Sequence, residues 1–127
     1  MVEFILYVSD QQISSYFYSV ILDKTPVLNV PGMTEFLVED NVKLGLMPET
    51  GIAKILGDKM PHPSGGAGIP RCELYLYTNN IETFYSRLQR AGAFEVSPIE
   101  DRDWGDKVCY FCDPDGHVIA IAQKLTE

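Results

Sequence analysis

Two cysteines at a redox or metal-binding spacing are the first candidates for chemistry in this sequence. Cys109 and Cys112 match C-x-x-C, a spacing found in thiol redox motifs and in zinc sites. They lie in a segment with strand character, where positions three apart face opposite sides. With Cys72 the chain holds three cysteines, an odd number that gives no disulfide framework. We interpret all three as thiols, and the C-x-x-C pair, Cys109 and Cys112, as small buried hydrophobic residues with a redox or zinc role as the alternative.

A glycine-rich run and two histidines are the next candidates. Residues 64–68 read S-G-G-A-G and suggest a phosphate-binding loop. Such a loop needs Gly-Lys-Ser/Thr at the start of a helix, whereas this run leads into a strand. His62 lies in the same Pro/Gly-rich region, and His117 lies at a turn before a strand. We expect both histidines to be surface or turn residues rather than metal ligands.

A repeated segment carries glutamate and tyrosine. Residues 3–7 read E-F-I-L-Y, and a shift of 70 residues places them over E-L-Y-L-Y at 73–77, with three of five positions identical. Each copy is followed by apolar residues at helical spacing. Ser9 with Gln12 is expected to cap the first helix, and Asn79 with Glu82 the second. Gly92 is expected to end the second helix in a left-handed conformation.

Strand-like segments follow each helix. They are residues 27–30, 35–39 and 42–47 in the first half and 93–97, 107–112 and 118–123 in the second. Each half therefore reads β-α-β-β-β, and the chain is predicted to be an α+β protein. The run D-P-D-G at 113–116 has the residue order of a type I turn and is predicted to join the last two strands as a hairpin.

The length of 127 residues suits one domain made of two small modules. We expect module one at 1–47, module two at 71–127, and between them a Pro/Gly-rich linker or lid loop at 48–70. The net charge of −8 disfavours nucleic acids and anionic membranes as partners. No apolar run approaches the roughly 20 residues that span a bilayer, and the N-terminal segment lacks the basic region of a secretion signal. We therefore expect a cytosolic protein.

Two sets of residues carry a family resemblance. The first is L-Y-V-S-D at 6–10 with Ser14 and Phe17-Tyr18, and the second is Trp104-Gly105 with F-C-D-P-D-G-H-V-I at 111–119. With the two modules, they make the chain resemble the vicinal oxygen chelate superfamily, which includes glyoxalase I, bleomycin-resistance proteins, fosfomycin-resistance proteins and extradiol dioxygenases. The resemblance implies helix-covered, cup-shaped, partly open mixed β-sheets and a homodimer.

The resemblance also implies where a metal ion would lie. Its positions are the head of each module's first strand, here Glu3 and Glu73, and the last strand of each module, here Ala120 and a place near Gly45. The usual histidines and glutamates are thus replaced by two carboxylates and two residues without donor atoms. Two glutamates hold a hard ion such as Mg²⁺ or Ca²⁺ only weakly unless water and substrate complete its shell. We assign no metal ligands, and leave open a weakly held divalent ion as the only cofactor.

Strand alternation converts these positions into a predicted pocket, because side chains two apart share a face. The candidate ligand-binding residues are Glu3, Ile5, Tyr7, Glu73, Tyr75, Tyr77, Trp104 and Ala120. Phe4, Leu6 and Val8 are expected to face the helix instead. Tyrosine rings beside carboxylates suit a flat or cationic ligand. Alternatively the tyrosines fill the sheet interior and the glutamates are solvated strand ends. Trp104 is expected either to stack on a ligand or to seal the sheet edge.

Three functions follow from this pocket. The first is a small-molecule-binding protein that resembles bleomycin-resistance proteins and sequesters a cationic or aromatic compound. The alternative is a metal-dependent lyase or isomerase resembling lactoylglutathione lyase, with Glu3 or Glu73 as the catalytic base and a divalent ion as electrophile. The third is an interaction module without a ligand site, in which bulky side chains occlude the cup.

Overall fold

Two four-stranded mixed sheets, one in each half of the chain, form the framework of the protein. In the computed structural model, which describes residues 1–126, the chain divides into the units Met1–Ala67 and Gly68–Glu127. Each unit has the order β-α-β-β-β, so the predicted α+β class is confirmed. The last residue of the expected second module, Glu127, lies outside the described residues.

The first unit pairs its first and last strands in parallel at one end of its sheet. Its elements are β1 (Val2–Val8), α1 (Gln11–Leu22), β2 (Leu28–Val30), β3 (Met33–Glu39) and β4 (Val42–Pro48). The strand order is β1-β4-β3-β2, with β4 antiparallel to β3 and β3 antiparallel to β2. Strand β1 is therefore an edge strand.

The second unit repeats this topology. Its elements are β5 (Glu73–Tyr77), α3 (Ile81–Arg90), β6 (Phe94–Asp101), β7 (Asp106–Cys112) and β8 (Val118–Lys124). The order β5-β8-β7-β6 makes β8 a central strand, parallel to β5 and antiparallel to β7. The hairpin between β7 and β8 turns at the predicted D-P-D-G run, where Asp113 Oδ1 accepts hydrogen bonds from the backbone N–H groups of Asp115 and His117, both at 2.9 Å.

One face of each sheet is packed by its helix. In the first unit the buried core includes Phe17, Tyr18 and Ile21 of α1 with Phe36 and Leu44 of the sheet. Val8 is fully buried, as the alternation predicted, but Phe4 is 59% exposed. Phe4 lies on an edge strand that has a neighbour on one side only, so the expectation that it packs against the helix was wrong.

The segment expected as a linker or lid loop is partly helical. It begins with α2 (Glu49–Leu56), whose Ile52 is buried, and continues through two 3₁₀ turns at Gly57–Lys59 and Pro63–Gly66. The apolar side chain of Ile52 gives this short helix a buried face. No helix within residues 1–126 has the length and apolar character needed to cross a bilayer.

Both helices are capped one residue later than predicted. Asp10, not Ser9, is the N-cap of α1, and its side chain accepts a hydrogen bond from Ile13 N at 3.0 Å. Asn80, not Asn79, caps α3 by accepting from Thr83 N at 3.2 Å. The capping side chain must directly precede the first helical residue, and the helices begin at Gln11 and Ile81. Gly92 has φ +76°, which confirms the predicted left-handed end of α3.

The cap of α3 provides a test of this correction. We expect Asn80→Ala to lower the free energy of unfolding by about 1 kcal/mol, because the N–H of Thr83 loses its acceptor. Asn79→Ala, the matched control one residue earlier, should change it by less than about 0.5 kcal/mol. Urea unfolding followed by circular dichroism measures both. Equal losses in the two variants would contradict the assigned cap.

Candidate functional site

A hydrogen-bonded aromatic cluster lies on one face of the second sheet. Tyr75 and Tyr77 are two apart on β5, so they share a face, and their ring centroids are 5.3 Å apart in an edge-to-face arrangement. Both hydroxyl groups donate to the same atom, Asp106 Oδ2, at 2.5 Å from Tyr75 and 3.1 Å from Tyr77. Asp106 itself is buried at the start of β7. The two rings are thus tied to one buried carboxyl group.

Small residues on the central strand β8 allow the tyrosines of β5 to reach Asp106 on β7. Tyr75 and Tyr77 pair with Ala120 and Ala122 of β8, beyond which lies β7 with Asp106. Neighbouring strands are about 4.8 Å apart, so a tyrosine that crosses one strand to reach the next needs a small side chain beneath it. Tyr75 packs against the cluster of Ala120, Ala122 and Val108. Ala120 is therefore buried beneath the tyrosine side chains.

Trp104 completes the cluster from the turn that precedes β7. Its indole N–H donates to the Tyr75 hydroxyl oxygen at 2.8 Å. The turn is closed by hydrogen bonds from Arg102 N to Asp106 O at 2.8 Å and from Gly105 N to Arg102 O at 3.3 Å, with Gly105 at φ +93°. Trp104 and Tyr77 remain 60% and 57% exposed. Large ring surfaces are therefore held in place and open to solvent.

The protonation state of Tyr75 is set by this environment. Burial raises its pKa, and the hydrogen bond to Asp106 raises it further, to about 12. The hydroxyl therefore keeps its proton across the physiological range and remains the donor to Asp106. One cation also lies at the cluster, since Lys124 Nζ is 4.7 Å from the centre of the Tyr77 ring, within cation–π range.

Glu73 begins β5 and is exposed. It raises the pKa of Tyr110, although burial of that tyrosine is the larger cause. The structure thus brings four of the five candidates of the second unit together, namely Tyr75, Tyr77, Trp104 and Ala120, and leaves Glu73 at the solvated strand end.

Glu3 belongs to a separate polar cluster in the first unit. It lies on β1 with Ile5 and Tyr7 on the same face, and Ile5 is paired with Gly45 of β4. On β3, Glu35 is also paired with Gly45, and Glu35 Oε1 accepts from Lys43 Nζ at 3.1 Å. A Cβ atom at position 45 would lie 2.5 Å from Glu3 Oε2. The Glu3 carboxyl group therefore fills the space that the missing side chain of Gly45 leaves.

The carboxyl groups of Glu3 and Glu35 shift each other's pKa in opposite directions. Glu3 Oε2 is buried, and among the described residues no N–H or O–H group donates to it. Burial raises the pKa of Glu3, and a hydrogen bond with Glu35 raises it further. Hydrogen bonds with Glu3 and Lys43 lower the pKa of Glu35. Two carboxyl groups form a hydrogen bond only when one is protonated, and the raised pKa of Glu3 with the lowered pKa of Glu35 makes Glu3 the member of the pair that takes up a proton first.

The thiols and histidines contribute little to either cluster. Cys109 is buried, and burial raises its pKa to about 11, while Cys112 is half-buried with its pKa also raised by burial. A raised thiol pKa disfavours the thiolate that redox or zinc chemistry needs. Asp113, Asp115 and His117 have potential ligand atoms within 4.8 Å of one another, but Asp113 already accepts two backbone hydrogen bonds that shape the hairpin.

Comparison with known proteins identifies the family. The model of the glyoxalase-like domain matches residues 1–126. The chain belongs to this glyoxalase-like domain family. The uncharacterized protein Mb0911c of Mycobacterium bovis is 26% identical over 125 residues, which cover 96% of this chain and 82% of that protein. The vicinal oxygen chelate superfamily expected from the sequence is thereby confirmed.

Solved structures share the fold of this glyoxalase-like domain. A glyoxalase-related enzyme from Fulvimarina pelagi superposes with a TM-score of 0.83 at 21% identity, covering 98% of this chain and 87% of that one. TnmS3, an antibiotic-binding protein from Streptomyces sp. CB03234, superposes with a TM-score of 0.70 at 24% identity, covering 96% of this chain and 93% of that one. At these sequence identities, the similarity to both structures shows a shared fold and nothing more.

The residues of this glyoxalase-like domain do not fit the metal ion that the superfamily implies. Ala120 has no donor atom and is buried beneath Tyr75. Gly45 has none either, and the Glu3 carboxyl group occupies the space beside it. The pKa of Glu3 is raised by burial and by Glu35, which weakens it as a ligand because carboxylate ligands bind metals in the deprotonated state.

Sequence reasoning missed Asp106, Glu35, Lys43 and Lys124. For Asp106 the sequence offered one indication, since alternation along β7 places it on one face with Val108 and Tyr110. Its contact with Tyr75 depends on the register of β8 between them. Glu35 likewise meets Glu3 only through the register of β4 between β1 and β3. Strand periodicity alone does not indicate how neighbouring strands are aligned, so neither contact could be predicted from it.

The raised pKa of Glu3 predicts a pH dependence of stability. Because its pKa is raised in the folded protein, its contribution is fully present below the ordinary value of 4.5 and is lost as the pH rises through the folded-state pKa. Glu3→Gln keeps an N–H donor toward Glu35 at every pH. We therefore expect the melting temperature of Glu3→Gln to rise relative to wild type as the pH rises above 4.5.

Glu73→Gln, at the repeat-related and exposed position, is the matched control and should parallel the wild type. Glu35 contributes in the opposite sense, since its lowered pKa affects stability only as the pH falls below 4.5. A constant difference in melting temperature between Glu3→Gln and wild type as the pH rises above 4.5 would contradict the raised pKa of Glu3.

Proposed function

We propose that this glyoxalase-like domain is a small-molecule-binding protein that sequesters a cationic or aromatic compound on the aromatic cluster of its second unit. The observation that carries the proposal is the pair of exposed rings, Trp104 and Tyr77, held by hydrogen bonds through Tyr75 and Asp106. Apolar walls with a few convergent polar groups are the usual make-up of a ligand site.

Preorganisation supports this proposal. An exposed aromatic side chain normally loses rotamer freedom when a ligand stacks on it, and that loss opposes binding. Here Trp104 is anchored through its N–H to Tyr75, and Tyr77 through its hydroxyl to Asp106. The rings are thus fixed before a ligand arrives, so more of the stacking energy contributes to affinity.

The net charge and the fold also support binding of a cationic small molecule. The net charge of −8 favours encounter with cations over anions. The fold is shared with TnmS3, whose described property is antibiotic binding. By the same resemblance we propose a cytosolic homodimer, and sedimentation equilibrium at micromolar concentration tests the pairing.

The only tryptophan of the chain gives a direct test of the binding proposal. We expect calorimetric titration with cationic aromatic compounds, bleomycin included, to detect binding, with quenching of Trp104 emission. Trp104→Ala should weaken binding about tenfold or more, since it removes both stacking surface and the anchor of Tyr75.

Tyr16→Ala is the control, because Tyr16 is a 71% exposed aromatic residue of α1 in the first unit. It should leave the affinity unchanged. Equal affinities of Trp104→Ala and wild type, or no binding by any compound of the panel, would overturn the proposal.

A lyase or isomerase resembling lactoylglutathione lyase is the second candidate. The observation in its favour is the Glu3 carboxyl group, whose pKa is raised by burial and by Glu35, because a raised pKa moves a carboxyl group toward the range in which it transfers protons. Against it stand the missing donors at Gly45 and Ala120 and the exposure of Glu73.

We expect no formation of lactoylglutathione from methylglyoxal and glutathione when nickel, zinc, manganese or magnesium is added. The ultraviolet absorbance of the thioester product measures it. A metal-dependent rate that Glu3→Gln abolishes and Glu73→Gln retains would instead favour the lyase.

A further inference from the structure

We infer that the aromatic cluster selects flat cations that carry N–H donors, and that Lys124 competes with such ligands for the face of Tyr77. This inference rests on the proposed binding function and deepens it. It comes from the direction in which each polar hydrogen of the cluster points and from the position of one ammonium group.

All three polar hydrogens of the aromatic side chains are used within the cluster. A phenolic hydroxyl has one proton, and those of Tyr75 and Tyr77 are both given to Asp106 Oδ2. The indole N–H of Trp104 is given to the Tyr75 oxygen. None of these groups has a hydrogen left for a ligand, whereas the Tyr77 oxygen keeps lone pairs. The cluster therefore offers acceptors and ring faces.

Acceptors and ring faces favour a positively charged donor. The face of an aromatic ring attracts cations through its quadrupole. Arg102 lies over Tyr110 on the same face, but its guanidinium donates hydrogen bonds of 3.0 Å to Ser97 Oγ and Val108 O rather than to the rings of the cluster. An anion placed on these rings would meet electron-rich surface without a hydrogen-bond donor from them.

Lys124 already occupies part of this surface. It is paired with Asp106 across β8 and β7, so its side chain leaves the sheet on the face that carries the tyrosines. Its ammonium group lies 4.7 Å from the Tyr77 ring centre. A ligand cation that binds Tyr77 must displace this group and is repelled by it while it remains. Lys124 is thus a specificity-determining residue that opposes the ligand.

Three flat tricyclic dyes differ in charge and in the number of N–H donors. Proflavine is a cation with two amino groups and a protonated ring nitrogen, acridine orange is a cation whose amino groups are fully methylated so that only the ring nitrogen carries N–H, and anthracene-2-sulfonate is an anion without N–H donors. We expect calorimetry on the wild-type chain to rank their affinities in that order.

Lys124→Gln should bind proflavine about two- to fivefold more tightly, since the competing cation–π contact and its repulsion are removed. Lys59→Gln, which removes the same charge from an exposed 3₁₀ turn of the first unit, is the control. Its effect on the affinity for proflavine should be less than half of the effect of Lys124→Gln.

Asp106→Asn tests the hydrogen-bond part of the inference. The Asn side chain can donate an N–H to the tyrosine oxygens, which leaves fewer acceptors for a ligand, so the ratio of proflavine affinity to acridine orange affinity should fall. The melting curve of this variant checks that it folds.

The outcomes separate this inference from the proposed function. Anthracene-2-sulfonate binding at Trp104 as tightly as proflavine, or Lys124→Gln binding proflavine no better than Lys59→Gln, overturns the selectivity but leaves a small-molecule site. No binding of any dye and unchanged Trp104 emission overturn the binding function and the selectivity together.

Discussion

The buried carboxyl group of Asp106 determines the arrangement of the second unit's aromatic face. A buried carboxylate needs hydrogen-bond donors, and here two tyrosine hydroxyls supply them to a single oxygen. The position of Trp104 follows, since its indole N–H donates to one of those hydroxyls. The rings are thereby held in place, with more than half of Trp104 and of Tyr77 exposed to solvent.

The first unit uses the same topology for a different purpose. Its β1 and β4 are paired in parallel as β5 and β8 are, but its face carries Glu3, an ion pair of Glu35 with Lys43, and a glycine where the second unit carries tyrosines and alanines. One β-α-β-β-β framework thus supports a polar cluster in one copy and an aromatic cluster in the other. Fold membership alone therefore says little about which copy binds a ligand.

Periodicity and repetition were sufficient for the fold, because they depend on local patterns. Alternation put Tyr75 and Tyr77 on one face, and the repeat aligned β1 with β5. The helix caps were misplaced by one residue, because Ser9 and Asp10, like Asn79 and Asn80, are both suitable capping residues. Contacts such as those of Asp106 and Glu35 cross an intervening strand, so they depend on register between segments distant in sequence.

Gly45 and Glu3 limit each other's side chains in the first unit. The Glu3 carboxyl oxygen lies 2.5 Å from where a Cβ atom at position 45 would be. Because that oxygen is at the end of a flexible side chain, a larger residue at position 45 requires the Glu3 carboxyl group to turn aside. Positions 3 and 45 are therefore expected to covary, with a side chain at one accompanied by a shorter or reoriented side chain at the other.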